Sequence, residues 1–476
     1  MKKLLIVLTG ILLISCRHEK KVNPDPDPEL QQTVQEYYDT VFRNEVIYPK
    51  VECRNNAAIS YALLLPDDYD TISKFPVIFF IDAHADGLLP IEKYKNLANH
   101  FGYIFIGNNN SKNGNSLEGN AAFIDATVKD ALKRFSIDKN RIYVSGFSGG
   151  SRVAGYVAQN NNLIRGVIAC GAGMPVTVSL TSKQFVYIGI TGNEDFNYTE
   201  MKKQEGDLNS TGIRHELLTF DGKHEWCPED QMSEAITGLE FDAMKTHIIP
   251  VRQQLVDDFV LKSETKAVML EKLQRKFELF HHFKKMINFL DNLKDVSSYR
   301  KKAAAIENSE EYKQEAKARN AAETKEDALK NQYVQMFSEK DENWWSNEVA
   351  SINKQIKTGK NKEEVLIQKR ILSYLSLAAF SYSNNAMNQN NMDAAIHYLN
   401  LYKIIDPPNS EHSYMLAEAY AEKGDAEKSI GYLKDAVKLG FKDAARLEGD
   451  AHFNSIKNIP AFNSVVSEIK AGNEKK

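Results

Sequence analysis

Between residues 59 and 226 the chain alternates short apolar runs with stretches of helical period. The runs cover 61–65, 77–82, 103–108, 141–145, 166–170, 185–191 and 215–220. Continuous runs of this length predict strands buried on both faces of a mostly parallel sheet. Helices are predicted between them at 91–100, 121–135, 152–159 and 197–210, and the alternation implies one α/β domain. Beyond residue 230 the Val, Ile and Gly runs vanish and Lys, Glu, Ala, Leu and Asn take over, which predicts several long helices over 232–375. Near the end Ala395, Leu399 and Pro407 recur 34 residues later as Ser429, Leu433 and Phe441. Leu416, Ala417, Tyr420, Gly424, Ala426 and Ala436 complete a pattern of small and apolar positions that lets two helices approach closely.

Composition narrows the classes. A chain of 476 residues suggests two or three domains, and 42% hydrophobic with 26% charged residues is ordinary for globular protein. The net charge of −4 provides no basic field, so nucleic acid is not an expected partner.

The chemistry concentrates in Gly146-Phe147-Ser148-Gly149-Gly150. A predicted strand runs into this G-x-S-x-G pattern and a predicted helix leaves it. Small neighbours let the backbone turn sharply there and lift the Ser148 hydroxyl above the sheet. Serine needs a base to act as a nucleophile. His224 lies just past the last predicted strand, where a loop leaves the carboxyl edge of the sheet. The imidazole in turn needs a carboxylate from a neighbouring strand end. Asp195 is the candidate, and Glu194 beside it is the alternative. A developing oxyanion needs two donors. Gly149 N–H is one, and the loop after 77–82 offers the other from Ala85 or His84. A metal site built from Asp82, His84 and Asp86 is set aside in favour of local hydrogen bonding, so no metal and no cofactor are expected. The Asn-rich segment 108–115 follows a strand at the same sheet edge. Asn109 and Asn110 are candidates to bind substrate hydroxyls, with a plain turn-forming loop as the alternative.

Residues 60–228 resemble the esterase and depolymerase branch of the α/β-hydrolases, which includes feruloyl esterases and polyhydroxybutyrate depolymerases. The resemblance rests on residues 146–150, on Ile137-Asp138-Lys139-Asn140-Arg141-Ile142-Tyr143-Val144 and on Gly222-Lys223-His224-Glu225-Trp226. It implies an α/β-hydrolase sheet domain with Ser148 as nucleophile, Asp195 as acid and His224 as base. It covers little more than a third of the chain. The pattern near the carboxyl end resembles tetratricopeptide repeats, which implies an all-α domain and a protein partner.

The amino end is a different material. Lys2 and Lys3 precede an apolar run ending in Leu13-Ile14-Ser15-Cys16, which resembles the lipobox of a bacterial lipoprotein. That implies cleavage before Cys16, a lipid on Cys16 and a place in the cell envelope, periplasmic or surface-exposed. The Pro/Asp alternation in 23–28 reads as an extended tether. Cys53, Cys170 and Cys227 remain, and their odd number precludes full internal pairing. The expected layout is a signal peptide at 1–15, a tether at 16–32, the hydrolase domain at 33–230, a helical region at 231–375 and the repeats at 376–476. The expected function is hydrolysis of a small-molecule or glycan ester. The competing readings are a serine peptidase, and a repeat-based interaction module with a vestigial hydrolase domain.

Overall fold

The apolar runs become strands because central positions of a parallel sheet are covered on both faces. Every residue of β3 (Phe75–Ile81) and β4 (Ile104–Asn108) is buried. The computed structural model describes residues 41–474. The expected signal peptide, tether and lipid site at Cys16 therefore lie outside the described residues.

In chain order the first half comprises β1 (Tyr48–Cys53), β2 (Asn56–Leu64), β3, α1 (Leu88–Phe101), β4, α2 (Leu117–Arg134), β5 (Ile137–Phe147), α3 (Gly149–Asn160), β6 (Ile164–Cys170), β7 (Val186–Gly192), α4 (Tyr198–Leu208), β8 (His215–Phe220) and α5 (Glu229–Lys245). The eight strands lie in the order β1-β2-β4-β3-β5-β6-β7-β8. β1 and β2 join antiparallel, β2 meets β4 antiparallel, and the other neighbours run parallel. This order, with a serine turn between β5 and α3, is an α/β-hydrolase sheet domain, and an all-helical region follows it, as the sequence implied. One strand was not anticipated. β1 reads Tyr-Pro-Lys-Val-Glu-Cys, half exposed at the sheet edge, where an apolar run is not required.

The boundary expected at residue 230 falls at the start of α5. Met232, Ala235, Ile236 and Leu239 of that helix share one core with Val186, Ile188 and Leu218 of the sheet, so α5 packs as part of the sheet domain.

The helical region continues through α6 (Gln253–Lys272), α7 (Lys276–Leu290), α8 (Ser297–Glu307), α9 (Glu310–Glu339), α10 (Glu342–Thr358), α11 (Lys362–Asn388), α12 (Met392–Ile405), α13 (Ser410–Glu422), α14 (Ala426–Lys438), α15 (Ala444–Gly449) and α16 (Pro460–Glu474). A second core joins Phe241 and Met244 of α5 to Phe259 of α6 and Phe283 and Met286 of α7. A third surrounds Trp345, which is fully buried, with Phe337, Ile371, Leu375 and Leu399. The recurring positions Ala395, Leu399, Ser429 and Leu433 are all buried on α12 and α14. Gly424, at φ +77°, closes the turn between α13 and α14. Asn44–Lys476 forms one compact unit, so the two halves share packing rather than a free linker.

His282 in α7 gives the fold an acid-sensitive point. It is buried, its Nε2–H donates to the Ser263 carbonyl at 2.8 Å, and its Nδ1 has no partner. Burial, and then the nearby Lys285, push its pKa down to about 4. The folded state holds this ring neutral, while the unfolded chain protonates it below about pH 6.5. Stability is therefore full above pH 6.5 and falls as pH drops towards 4. Urea unfolding is expected to show a loss of about 2 kcal/mol from this group between pH 7 and pH 5. His282→Gln should flatten that part of the profile; an unchanged slope would refute the assignment.

Candidate active site

β5 ends at Phe147, and the chain turns through Ser148 into α3. Ser148 has φ 54° and ψ −118°, a conformation that L side chains rarely adopt and that costs on the order of 1–3 kcal/mol. The flanking glycines are required by contact. A Cβ on Gly146 would lie 2.1 Å from the Gly150 carbonyl oxygen, and one on Gly150 would lie 1.9 Å from that of Ile81. Ser148 N–H donates to the Cys170 carbonyl at 2.9 Å, which ties the turn to the end of β6.

The structure brings Ser148, His224 and Asp195 together. Ser148 Oγ lies 2.8 Å from His224 Nε2, and His224 Nδ1 lies 3.0 Å from both Asp195 carboxylate oxygens. A carboxylate only accepts, so Nδ1 carries the proton and Nε2 is left to accept from the serine hydroxyl. Asp195 is fully buried, and its Oδ1 also accepts from Asn197 N–H at 2.8 Å. The His224 ring sits between Phe196 and Phe147, with centroids 4.1 and 4.8 Å away. Such a row can move a proton from hydroxyl to imidazole and hold the resulting charge. Glu194 turns elsewhere: its carboxylate accepts from Lys369 at 2.6 Å.

The loop after β3 separates the two candidates for the second donor. His84 N–H is already engaged with Asp82 Oδ1 at 2.8 Å, so it is not available to a substrate oxygen. The His84 side chain is 78% exposed and contacts the same carboxylate at 3.4 Å. Ala85 takes φ 62°, a left-handed turn that redirects the backbone one residue further on. Asp82 also accepts from Trp226 Nε1 at 2.8 Å, which links this loop to the one carrying His224. Burial opposes ionisation of Asp82, but the hydrogen bonds from His84 and Trp226 hold its carboxyl below the usual range. Asp86 Oδ1 accepts from Leu89 N–H at the start of α1. Asp86 thus serves a local hydrogen bond, while Asp82 joins its own loop to that of His224.

The Asn-rich loop divides by role. Asn109 donates to the Pro49 carbonyl at 3.1 Å. Asn110 accepts from Ser60 N–H and donates to the Ala58 carbonyl, both at 2.9 Å. These amides stitch the loop to β1 and β2, the structural role that the turn-forming alternative implies. Asn113, which the sequence did not single out, reaches the serine turn instead. A Cβ on Gly149 would meet Asn113 Oδ1 at 1.8 Å, and Asn113 N–H donates to the Ala83 carbonyl at 2.8 Å.

No protein-family model matches this sequence, and no curated protein does. Solved structures align with part of this chain. An S-formylglutathione hydrolase from Staphylococcus aureus is 13% identical, with 42% of this chain and 98% of that one covered and a TM-score of 0.35. A mutant of the feruloyl esterase module from Clostridium thermocellum, complexed with sinapinate, is 14% identical over 40% and 84% of the two chains, with a TM-score of 0.33. An esterase from Pyrobaculum calidifontis is 12% identical over 44% and 88%, with a TM-score of 0.34.

The surroundings of the row extend further than its three members. The loop 193–196 is bound to the His224 loop through Asn193 N–H to Phe220 O at 2.8 Å and Glu194 N–H to Gly222 O at 2.9 Å. Its opposite side meets α9 and α11 through Lys330, Lys369 and Arg370. Cys53, Cys170 and Cys227 are free and buried, and the Cys170 and Cys227 sulfurs lie 4.0 Å apart beneath the site. Burial first, and then the Cys227 thiol, push the Cys170 pKa well up. Among the described residues, Glu418, Asp450 and His452 bring three ligand atoms within 4.8 Å of one another. Tyr414 already donates to Asp450 at 2.8 Å, and the Arg446 guanidinium stands 3.8 Å from Glu418.

Proposed function

We propose that this protein is a serine hydrolase that cleaves a carboxylic ester by way of Ser148, His224 and Asp195. The observation that carries the reading is the unbroken row from Ser148 Oγ through the imidazole to the Asp195 carboxylate, at 2.8 and 3.0 Å. His224 takes the proton as Ser148 Oγ attacks the substrate carbonyl carbon. The oxyanion is held by Gly149 N–H, at the open end of α3, and by Ala85 N–H. As the tetrahedral intermediate collapses, His224 returns the proton to the leaving alcohol. Water, activated by the same imidazole, then attacks the acyl-serine and releases the acid.

The sequence supports the finer parts of this reading. Leu13-Ile14-Ser15-Cys16 supports export and a lipid on Cys16, which places the hydrolase at a membrane surface of the cell envelope. A small-molecule or glycan ester is the proposed substrate. The 34-residue recurrence, with small buried residues at Ala395 and Ser429, supports reading α11–α14 as tetratricopeptide-like hairpins with a protein partner. The hydrogen-bonded row argues against a vestigial hydrolase domain.

The test is an activity probe on the full chain. A fluorophosphonate is expected to label Ser148, and short-chain p-nitrophenyl esters to be turned over faster than aminoacyl anilides. Faster cleavage of the anilides would make the protein a peptidase. An unlabelled Ser148 with no turnover of either class would sink the proposal.

A further inference from the structure

Asp195 sits in a loop whose two edges are held by different halves of the molecule. The N–H edge is bound by the hydrolase half, through the Phe220 and Gly222 carbonyls. The carbonyl edge is bound by the helical half. Arg370 Nη1 of α11 donates to the Asn193 carbonyl at 2.9 Å. Lys330 Nζ of α9 donates to the Phe196 carbonyl at 3.0 Å. Lys369 Nζ reaches the Glu194 carboxylate at 2.6 Å. The three cations bracket Asp195 on both sides.

The two inner cations are organised by one carboxylate. Glu326 is fully buried and accepts from Arg370 Nε at 2.9 Å and from Nη2 at 2.7 Å. Its Oε1 lies 2.8 Å from Lys330 Nζ. Arg370 is itself fully buried, with its guanidinium 4.5 Å from the centre of the Tyr198 ring. Buried ion clusters of this kind contribute little over apolar residues of equal size, and their best-attested use is to fix one geometry. Arg370 Nη2 also reaches Glu363 at 3.3 Å, while Arg370 Nη1 and Lys330 Nζ carry the contacts to the backbone carbonyls on either side of Asp195. The geometry they fix is therefore that of the loop that presents the acid.

We infer that Arg370, Lys330 and Glu326 are positioning residues for Asp195, so that the helical half completes the hydrolytic site. This rests on the reading of Ser148, His224 and Asp195 as the reacting row. Losing the clasp lets the carbonyl edge of the loop relax, and the Asp195 carboxylate leaves its symmetric seat on His224 Nδ1. A displacement near 1 Å costs up to about 100-fold in rate.

A double-mutant cycle on the full chain tests the inference. Fluorophosphonate labelling of Ser148 in the parent protein comes first; without it the triad reading has failed, and the cycle is not what decides. With labelling established, Arg370→Met is expected to lower kcat on a p-nitrophenyl ester by about 10- to 100-fold and to leave KM within about threefold. In an Asp195→Asn background the same change should alter kcat by less than about threefold, because the group it positions is gone. Arg370→Lys, which keeps the charge and one donor, should recover most of the loss. An equal loss in both backgrounds, or no loss in the parent, overturns the inference. If Arg370→Met does not fold, the same cycle is run with Lys330→Met, which leaves Glu326 paired with Arg370, and is judged by the same two outcomes.

Discussion

Replacing Ser148 with alanine is expected to lower kcat on a p-nitrophenyl ester by on the order of 10⁵-fold, with the fold intact. Alanine fits the space and keeps the turn, and it is no more strained than serine at φ 54°. What is lost is the oxygen that His224 Nε2 faces at 2.8 Å. His224→Ala should cost a similar factor. The double variant should cost no more than either single change, because hydroxyl and imidazole act as one unit and neither does chemistry alone. Residual turnover would come from substrate binding and the oxyanion donors. The measurement is a full set of kcat and KM values for the two single variants and the double. A double variant slower by the product of the single factors would mean that the two side chains act independently, and the proposed mechanism would fall.

The second large effect separates two adjacent carboxylates. Asp195→Asn is expected to reduce kcat by about 10⁴-fold. Asparagine preserves the volume and can still accept from Asn197 N–H. It removes the negative charge that stabilises the imidazolium, and its amide donor favours the wrong ring tautomer. Glu194→Gln should change kcat by less than about threefold, because that side chain faces Lys369 rather than His224. A larger loss at Glu194 than at Asp195 would reverse the assignment.

Much of this was legible in the residues. Each of the seven apolar runs became a strand, and six of these lie inside the sheet, where both faces are covered and no polar face interrupts the pattern. β1 escaped notice because an edge strand is free to carry Pro49, Lys50 and Glu52. Ser148 and His224 lie at strand ends, where fold and chemistry impose the same local pattern. The choice between Asp195 and Glu194 was not local. It turns on which way each carboxylate points, and Glu194 points to Lys369, 175 residues away. The asparagines show the same limit. Asn109, Asn110 and Asn113 carry equivalent amides, and only the path of the loop brings Asn113 to Gly149. Glu326 and Lys330 stand four residues apart on α9, an ordinary helical ion-pair spacing, and nothing in the pattern of α11 marks Arg370, whose partners Glu326 and Asn193 lie across the fold.

The clasp on the acid loop also sets an order in time. A chain emerging from its amino end carries Ser148, Asp195 and His224 well before Arg370 has been made. At about 5–20 residues per second, the guanidinium trails the imidazole by on the order of ten seconds. During that interval the sheet has Ser148 and His224, but the carbonyl edge beside Asp195 has no donors from α9 and α11. On the proposed function, a nascent chain or an early-terminated product is expected to be a poor catalyst until the later helices have been made.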